Sequence, residues 1–281
     1  RVLFRSHETT AGMARVNARA SDLVGATLWS VAQSGSLIVL LICWELLARS
    51  GLFTAFLLPS LSSVLARVVE DAVSGLLFFD LAVTLYRAVT GFAIAAVAGV
   101  ALGILIARIP AIHWLFDPIV SIGFPMPKVA FLPVFMLWFG VYDFSKISMI
   151  VFNAIFPVIA ATVAGTQGVD KHVVWSARSL GARPGEILRE IILPAALPQI
   201  LTGLQVALPT ALIVAIVTEI IMGGDGLGAS MIRASRYADS PGVFAGIVEI
   251  AAAGWLVIKS VEALRRRLLV WHQETQAVST M

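Results

Sequence analysis

Residues 196–218 contain no charged side chain, and neither do residues 89–107. A helix needs about 20 mostly apolar residues to cross the hydrocarbon core of a bilayer, and both runs meet that length. A water-facing fold cannot place such runs on its surface. The chain is 281 residues long, 59% hydrophobic and 13% charged, about half the charge that a soluble domain carries. The composition therefore points to an all-α integral membrane protein and excludes a soluble enzyme domain.

The remaining chemistry is sparse. One cysteine, Cys43, rules out an internal disulfide framework. His7, His113, His172 and His272 stand singly, so no metal-ligand spacing exists and no metal is expected. The pI is near 9.4, yet the basic residues lie between apolar runs rather than on one element. That is a topology signal, and no nucleic-acid partner is expected. Lys128, Lys146, Lys171 and Lys259 all lack a preceding glycine. The chain thus has no phosphate-binding Gly-Lys-Ser/Thr loop of its own.

Hydropathy gives six expected spans, at 35–52, 84–107, 116–140, 147–165, 200–222 and 243–261. Residues 1–33 read as a polar cytoplasmic tail, with Met13 a candidate natural start. Residues 34–80 hold the first span and an external surface helix, whose Leu61, Val64, Leu65, Val68 and Val69 recur at helical spacing. Residues 81–263 form the membrane core, and 264–281 a second cytoplasmic tail. The positive-inside rule places both termini in the cytoplasm. Arg1, Arg5, Arg15, Arg19, Arg108, Lys171, Arg178, Arg183, Arg189, Arg265, Arg266 and Arg267 fall on that side. Arg67, Lys146, Arg233 and Arg236 fall opposite, with Arg49 and Arg87 near span ends.

The loop at 166–199 is then cytoplasmic. Its first helix is expected from Lys171 to Leu180, stopped by Gly181 at its C-cap. A second begins at Pro184, where a missing N–H does no harm. It turns Ile187, Leu188, Ile191 and Ile192 to one face, and Pro194 and Pro198 are expected to end it. Such an elbow suits the gripping of a partner protein; lying flat on the membrane surface is the rival reading.

Ala177, Gly181 four residues on, and Ile191-x-Leu193-Pro194 after nine more make this loop resemble the signature loop of ATP-binding-cassette importer permeases. Pro127-Lys128 to Pro133, Trp138-Phe139-Gly140, Trp44-Glu45, and Glu219 followed by Gly226-Leu227-Gly228 are similar to the nitrate/sulfonate/taurine branch. Trp175-Ser176 stands where that family has Glu-Ala. The resemblance implies a type I importer permease fold and a coupling helix that docks on a cytoplasmic ATPase. Ala177, Arg178, Gly181, Ala182, Glu186, Ile191, Leu193 and Pro194 are its implied coupling residues. It further implies a homodimer in a bacterial inner membrane and a periplasmic or lipoprotein solute-binding protein. ATP and magnesium would sit on the partner ATPase, and no cofactor on this chain.

Polar groups inside a bilayer are costly and invite a functional reading. Lys128 is placed to attract an anion, or else snorkels to a span end. Pro118, Pro125, Pro127 and Pro133 interrupt the third span, which exposes backbone along a cavity or merely kinks a packed helix, and the last three count toward the pathway. With Trp138 and Glu219 these are the candidate pathway residues. Glu219 would face solute or a docking receptor, or sit in the interface with water. Glu45 and Glu249 are expected to pair within the bundle. The alternative function, an ion-coupled secondary transporter, would need Glu45, Glu219 and Glu249 as its relay.

Overall fold

The computed structural model describes residues 35–268, which divide into one unit ending at Leu65 and another starting at Ala66. The first unit contains helix α1 (35–49), shorter in its described part than a full span. Trp44 Nε1 donates to Pro59 O at 3.1 Å. Glu45 accepts from Arg49 Nε at 2.6 Å and from Ser62 Oγ at 2.9 Å, so it pairs locally. The expected surface helix is α2 (Leu61–Val73), which starts into the second unit. Ser60 Oγ accepts from Ser63 N at its N-terminus, an ordinary serine cap. The N-terminal tail lies outside the described residues.

The second unit is built on three long helices: α3 (Leu76–Arg108), α6 (Asp143–Gln167) and α9 (Leu193–Met222). Small residues every fourth position on α3 determine how closely the first two approach. A Cβ on Gly91 would meet Ile150, one on Gly99 would meet Val158, and one on Gly103 would meet Thr162. Ala95 and Ala154, between them, are fully buried. Both helices advance by four residues per contact, so they run parallel with i±4 ridges facing. The stripe runs through Gly91, Ala95, Gly99 and Gly103. Helix α9 runs antiparallel to α6, since Gly165 opposes Ala196 and Gln199 whereas Gly203 opposes Ala161.

Two parallel neighbours need a return crossing between them. Helices α4 (Pro110–Gly123) and α5 (Leu132–Phe139) supply it as a pair bent by 98° at residues 124–127, the second arm opening with the short turn Lys128–Phe131. The expected third span is therefore a broken one. Pro125 and Pro127 cannot donate to a continuing helix, which breaks it there. Four helices among the described residues are long and apolar enough to cross a membrane, or five with the bent pair. The second expected span starts eight residues early, at Leu76 rather than 84.

From Pro184 the chain stays helical to Met222: α8 (Pro184–Glu186), a π-helical turn (Ile187–Ile192) and α9. The expectation that Pro194 and Pro198 end the helix is thus corrected. In the π turn Leu193 N bonds to Leu188 O, five residues back. That wider turn moves the carbonyls that a proline ring at 194 would otherwise strike. Beyond α9 come α10 (Leu227–Arg236) and α11 (Ser240–Leu268), so the C-terminal segment expected from 264 starts as helix. Residues 269–281 lie outside the described residues. Large apolar side chains stay uncovered, with Leu137 83% and Trp114 82% exposed, as lipid-facing surfaces require.

Candidate functional site

The elbow joins α6 to α9 through α7 (Lys171–Ser179). Asp170 Oδ1 accepts from His172 N at 2.8 Å and caps the start of α7. Its end is a Schellman motif: Ala182 N donates to Ala177 O and Gly181 N to Arg178 O, both at 3.0 Å. Gly181 has φ +89°, a left-handed conformation that costs a side chain about 1–2 kcal/mol. Glu186 Oε2 then accepts from Arg183 N at 2.7 Å and caps α8. Five of the eight expected coupling residues, Ala177 and Arg178 through their carbonyls with Gly181, Ala182 and Glu186, therefore hold the corner itself.

Ile187 and Ile192 are buried, with Leu188 and Ile191 half-buried. Their five-residue spacing fits the π turn, where i and i+5 meet. Ile191 lines a groove of about 460 Å³ with Val173, Ala195 and Pro198. Leu193 is half-buried and Pro194 exposed. The outer surface carries Trp175 and Leu180, 55% and 89% exposed, among Lys171, Arg178, Arg183 and Arg189. This mixed apolar and cationic knob is chemically suited to a protein groove.

At the bend, Lys128 is 8% exposed. Its Nζ donates to Phe124 O at 3.0 Å and Met126 O at 3.5 Å and lies 4.8 Å over the Phe156 ring. Phe124 is the C-cap of α4 and Met126 lies just beyond it, and a helix C-terminus favours a cation. Among the described residues no carboxylate pairs with Lys128. Pro125, Pro127 and Pro133 are exposed, and Trp138 is 67% exposed beside Phe135 and Phe139.

Glu219 is fully buried. It accepts from Arg87 Nη1 at 2.7 Å, Thr84 Oγ1 at 2.9 Å and Gly228 N at 3.1 Å. In this conformation those partners surround it, with no water interface beside it. They belong to a cluster that clamps the turn after α9. Lys146 Nζ donates to Gly223 O, Arg233 to Gly224 O and Arg87 to Asp225 O, each at 2.6 Å. Gly226 N donates to Asp80 and Leu227 N to Thr84. Arg87 also pairs with Asp143 at 2.7 Å. The sequence reading missed Asp80, Thr84, Arg87 and Lys146 by treating them as loop or span-end groups. Asp80, Thr84 and Arg87 sit at i, i+4 and i+7, one helix face, which was the available signal.

Glu249, expected to pair in the bundle, does not: its Oε1 is buried without a hydrogen-bond partner. Among the described residues no three His, Cys, Asp or Glu side chains converge on a metal position.

Long apolar helices, a broken span and a firmly capped elbow at one end define a polytopic membrane transport subunit. The chain belongs to the binding-protein-dependent transport system inner membrane component family, whose model matches residues 99–270. It is 34% identical to the taurine transport system permease protein of Escherichia coli (strain K12), over 86% of this chain and 90% of that one. It is also 34% identical to a putative aliphatic sulfonates transport permease protein of Bacillus subtilis (strain 168), over 83% and 84%. Among solved structures it matches a chain of an amino acid ABC transporter, with TM-score 0.55 and 22% identity, covering 71% of this chain and 97% of that one. A chain of the MetNI methionine transporter matches with TM-score 0.52 and 19% identity, covering 68% and 98%. These two likenesses establish the type I permease fold. The chain is thus a multi-pass permease subunit of an ATP-binding-cassette importer, and ATP hydrolysis belongs to a separate subunit. Membership implies an ATPase and a solute-binding protein as partners.

Proposed function

We propose that the chain, as a homodimer, forms the ATP-driven import pathway for a small sulfonate-type anion. The names of two relatives, taurine and aliphatic sulfonates permeases, support the solute class. The observation that carries the coupling half is the elbow, whose corner is held by Gly181 and whose outer face is apolar and cationic. In this reading Ala177, Arg178, Gly181, Ala182, Glu186, Ile191, Leu193 and Pro194 shape the element that enters the ATPase groove. ATP and magnesium bind on that partner. Its closure pushes the elbow, and the unbroken helix from Pro184 to Met222 carries the push across the membrane. Both termini lie on the ATPase side.

Lys128, Pro125, Pro127, Pro133 and Trp138 line the pathway in this proposal. Lys128 supports it as a buried cation held only by carbonyls and a ring, free to exchange those weak contacts for an anion. Glu219 serves the pathway indirectly, by anchoring the turn beyond α9. The test is co-purification followed by transport. Wild-type chain should retain a cassette ATPase, and scrambling residues 181–194 should release it. Proteoliposomes holding permease, ATPase and binding protein should take up a labelled sulfonate only with ATP. An ATPase that stays bound to the scrambled elbow would overturn the coupling assignment. Uptake driven by an ion gradient without ATP would favour the secondary-transporter alternative.

A further inference from the structure

At the end of the bundle away from the elbow lies a cavity of about 200 Å³. Arg67 and Asp71 of α2, Leu76 of α3, Arg233 of α10, and Asp239 and Glu249 around α11 contribute to its wall. Both arginines are already engaged. Arg67 pairs with Asp71 at 3.2 Å and Asp239 at 3.1 Å. Arg233 donates to Gly224 O at 2.6 Å and lies 3.5 Å from Asp80. Glu249 is 8% exposed, and its Oε1 has no partner. A buried carboxylate without a counter-charge is strongly disfavoured, and two arginines against Asp71, Asp80, Asp239 and Glu249 leave an excess of negative charge that a proton or a cation must offset.

The missing charge has a definable chemistry. No three carboxylates converge among the described residues, which disfavours a divalent ion held by a carboxylate cage. Ser230 also lines the cavity, and its hydroxyl, which donates to Leu227 O at 3.0 Å, keeps its lone pairs as a neutral oxygen donor to a cation. The volume suits a small cation with part of its hydration shell and excludes a bulky organic one. Tyr237, 83% exposed at the rim, leaves a route of entry. We infer that Glu249 anchors a small monovalent cation, an alkali-metal ion or a primary ammonium group, in this cavity.

The test uses the purified permease–ATPase complex in lipid nanodiscs at fixed pH and ionic strength. Its unfolding midpoint is followed while N-methylglucamine chloride is replaced by sodium, potassium or methylammonium chloride. At least one small cation should raise the midpoint saturably, by about 3 °C at tenfold excess over its dissociation constant. A response to sodium or potassium alone identifies an ion, and one to methylammonium an amine. Glu249→Gln should abolish the shift. Met231 packs on Gly246, one helical turn before Glu249 on the same face. Met231→Lys should therefore supply the charge internally and also abolish the shift. A wild-type midpoint equal in all salts, or a full shift retained in either variant, overturns the site.

Discussion

Replacing Glu219 with glutamine tests the clamp beyond α9. The carboxylate is fully buried and its partner Arg87 is 5% exposed on its side chain. Removing one member of a buried ion pair costs about 3–5 kcal/mol when the other is left stranded. Arg87 is not wholly stranded, because Asp143 remains at 2.7 Å, though that carboxylate is 56% exposed and screened by water. Glutamine also keeps one oxygen to accept from Thr84 or Gly228. The expected loss is therefore at or just below the lower end, about 2–3 kcal/mol. At about 2–4 °C per kcal/mol for a unit of this size, the midpoint should fall by about 5–10 °C. The assay is thermal unfolding of purified permease in nanodiscs. Adding Arg87→Met should cost less than the sum of the two single changes, because the second change removes the unpaired charge. A Glu219→Gln variant within about 0.5 kcal/mol of wild type, or strict additivity, would refute the reasoning.

Three further outcomes are expected. Gly181→Val forces a β-branched residue into φ +89° and strains the elbow by about 1–3 kcal/mol; ATP hydrolysed per solute imported should rise severalfold in reconstituted transporter, with global unfolding little changed. Lys128→Met removes the buried cation and leaves its apolar stem, so sulfonate uptake should fall at least tenfold while ATPase binding persists; unchanged uptake would remove Lys128 from the pathway. Gly99→Leu drives a side chain into Val158 at the α3–α6 contact, and overpacking of about 1–3 kcal/mol should lower the unfolding midpoint more than the same change at Gly185, which faces open space.

The sequence alone determined the membrane class, the elbow and its corner, because these depend on local quantities. A run without charge either matches the bilayer thickness or does not, and Gly181, Pro184 and Asp170 act on backbone within a turn of themselves. The family followed from the same local spacings, Gly181 to Ile191-x-Leu193-Pro194. Other features depended on partners far along the chain. Arg87 and Glu219 are 132 residues apart, and only the parallel packing of α3 on α6, with α9 antiparallel, brings both to one turn. The break at Pro125 and Pro127 was readable as an interruption of the span, but its angle of 98° was not. The continuation through Pro194 rested on a π turn that no local rule announced. Glu249 looked like any intramembrane carboxylate awaiting a partner. Tertiary structure decided that the neighbouring arginines were already engaged, because ion pairing is settled by which side chains the packed helices bring within about 4 Å.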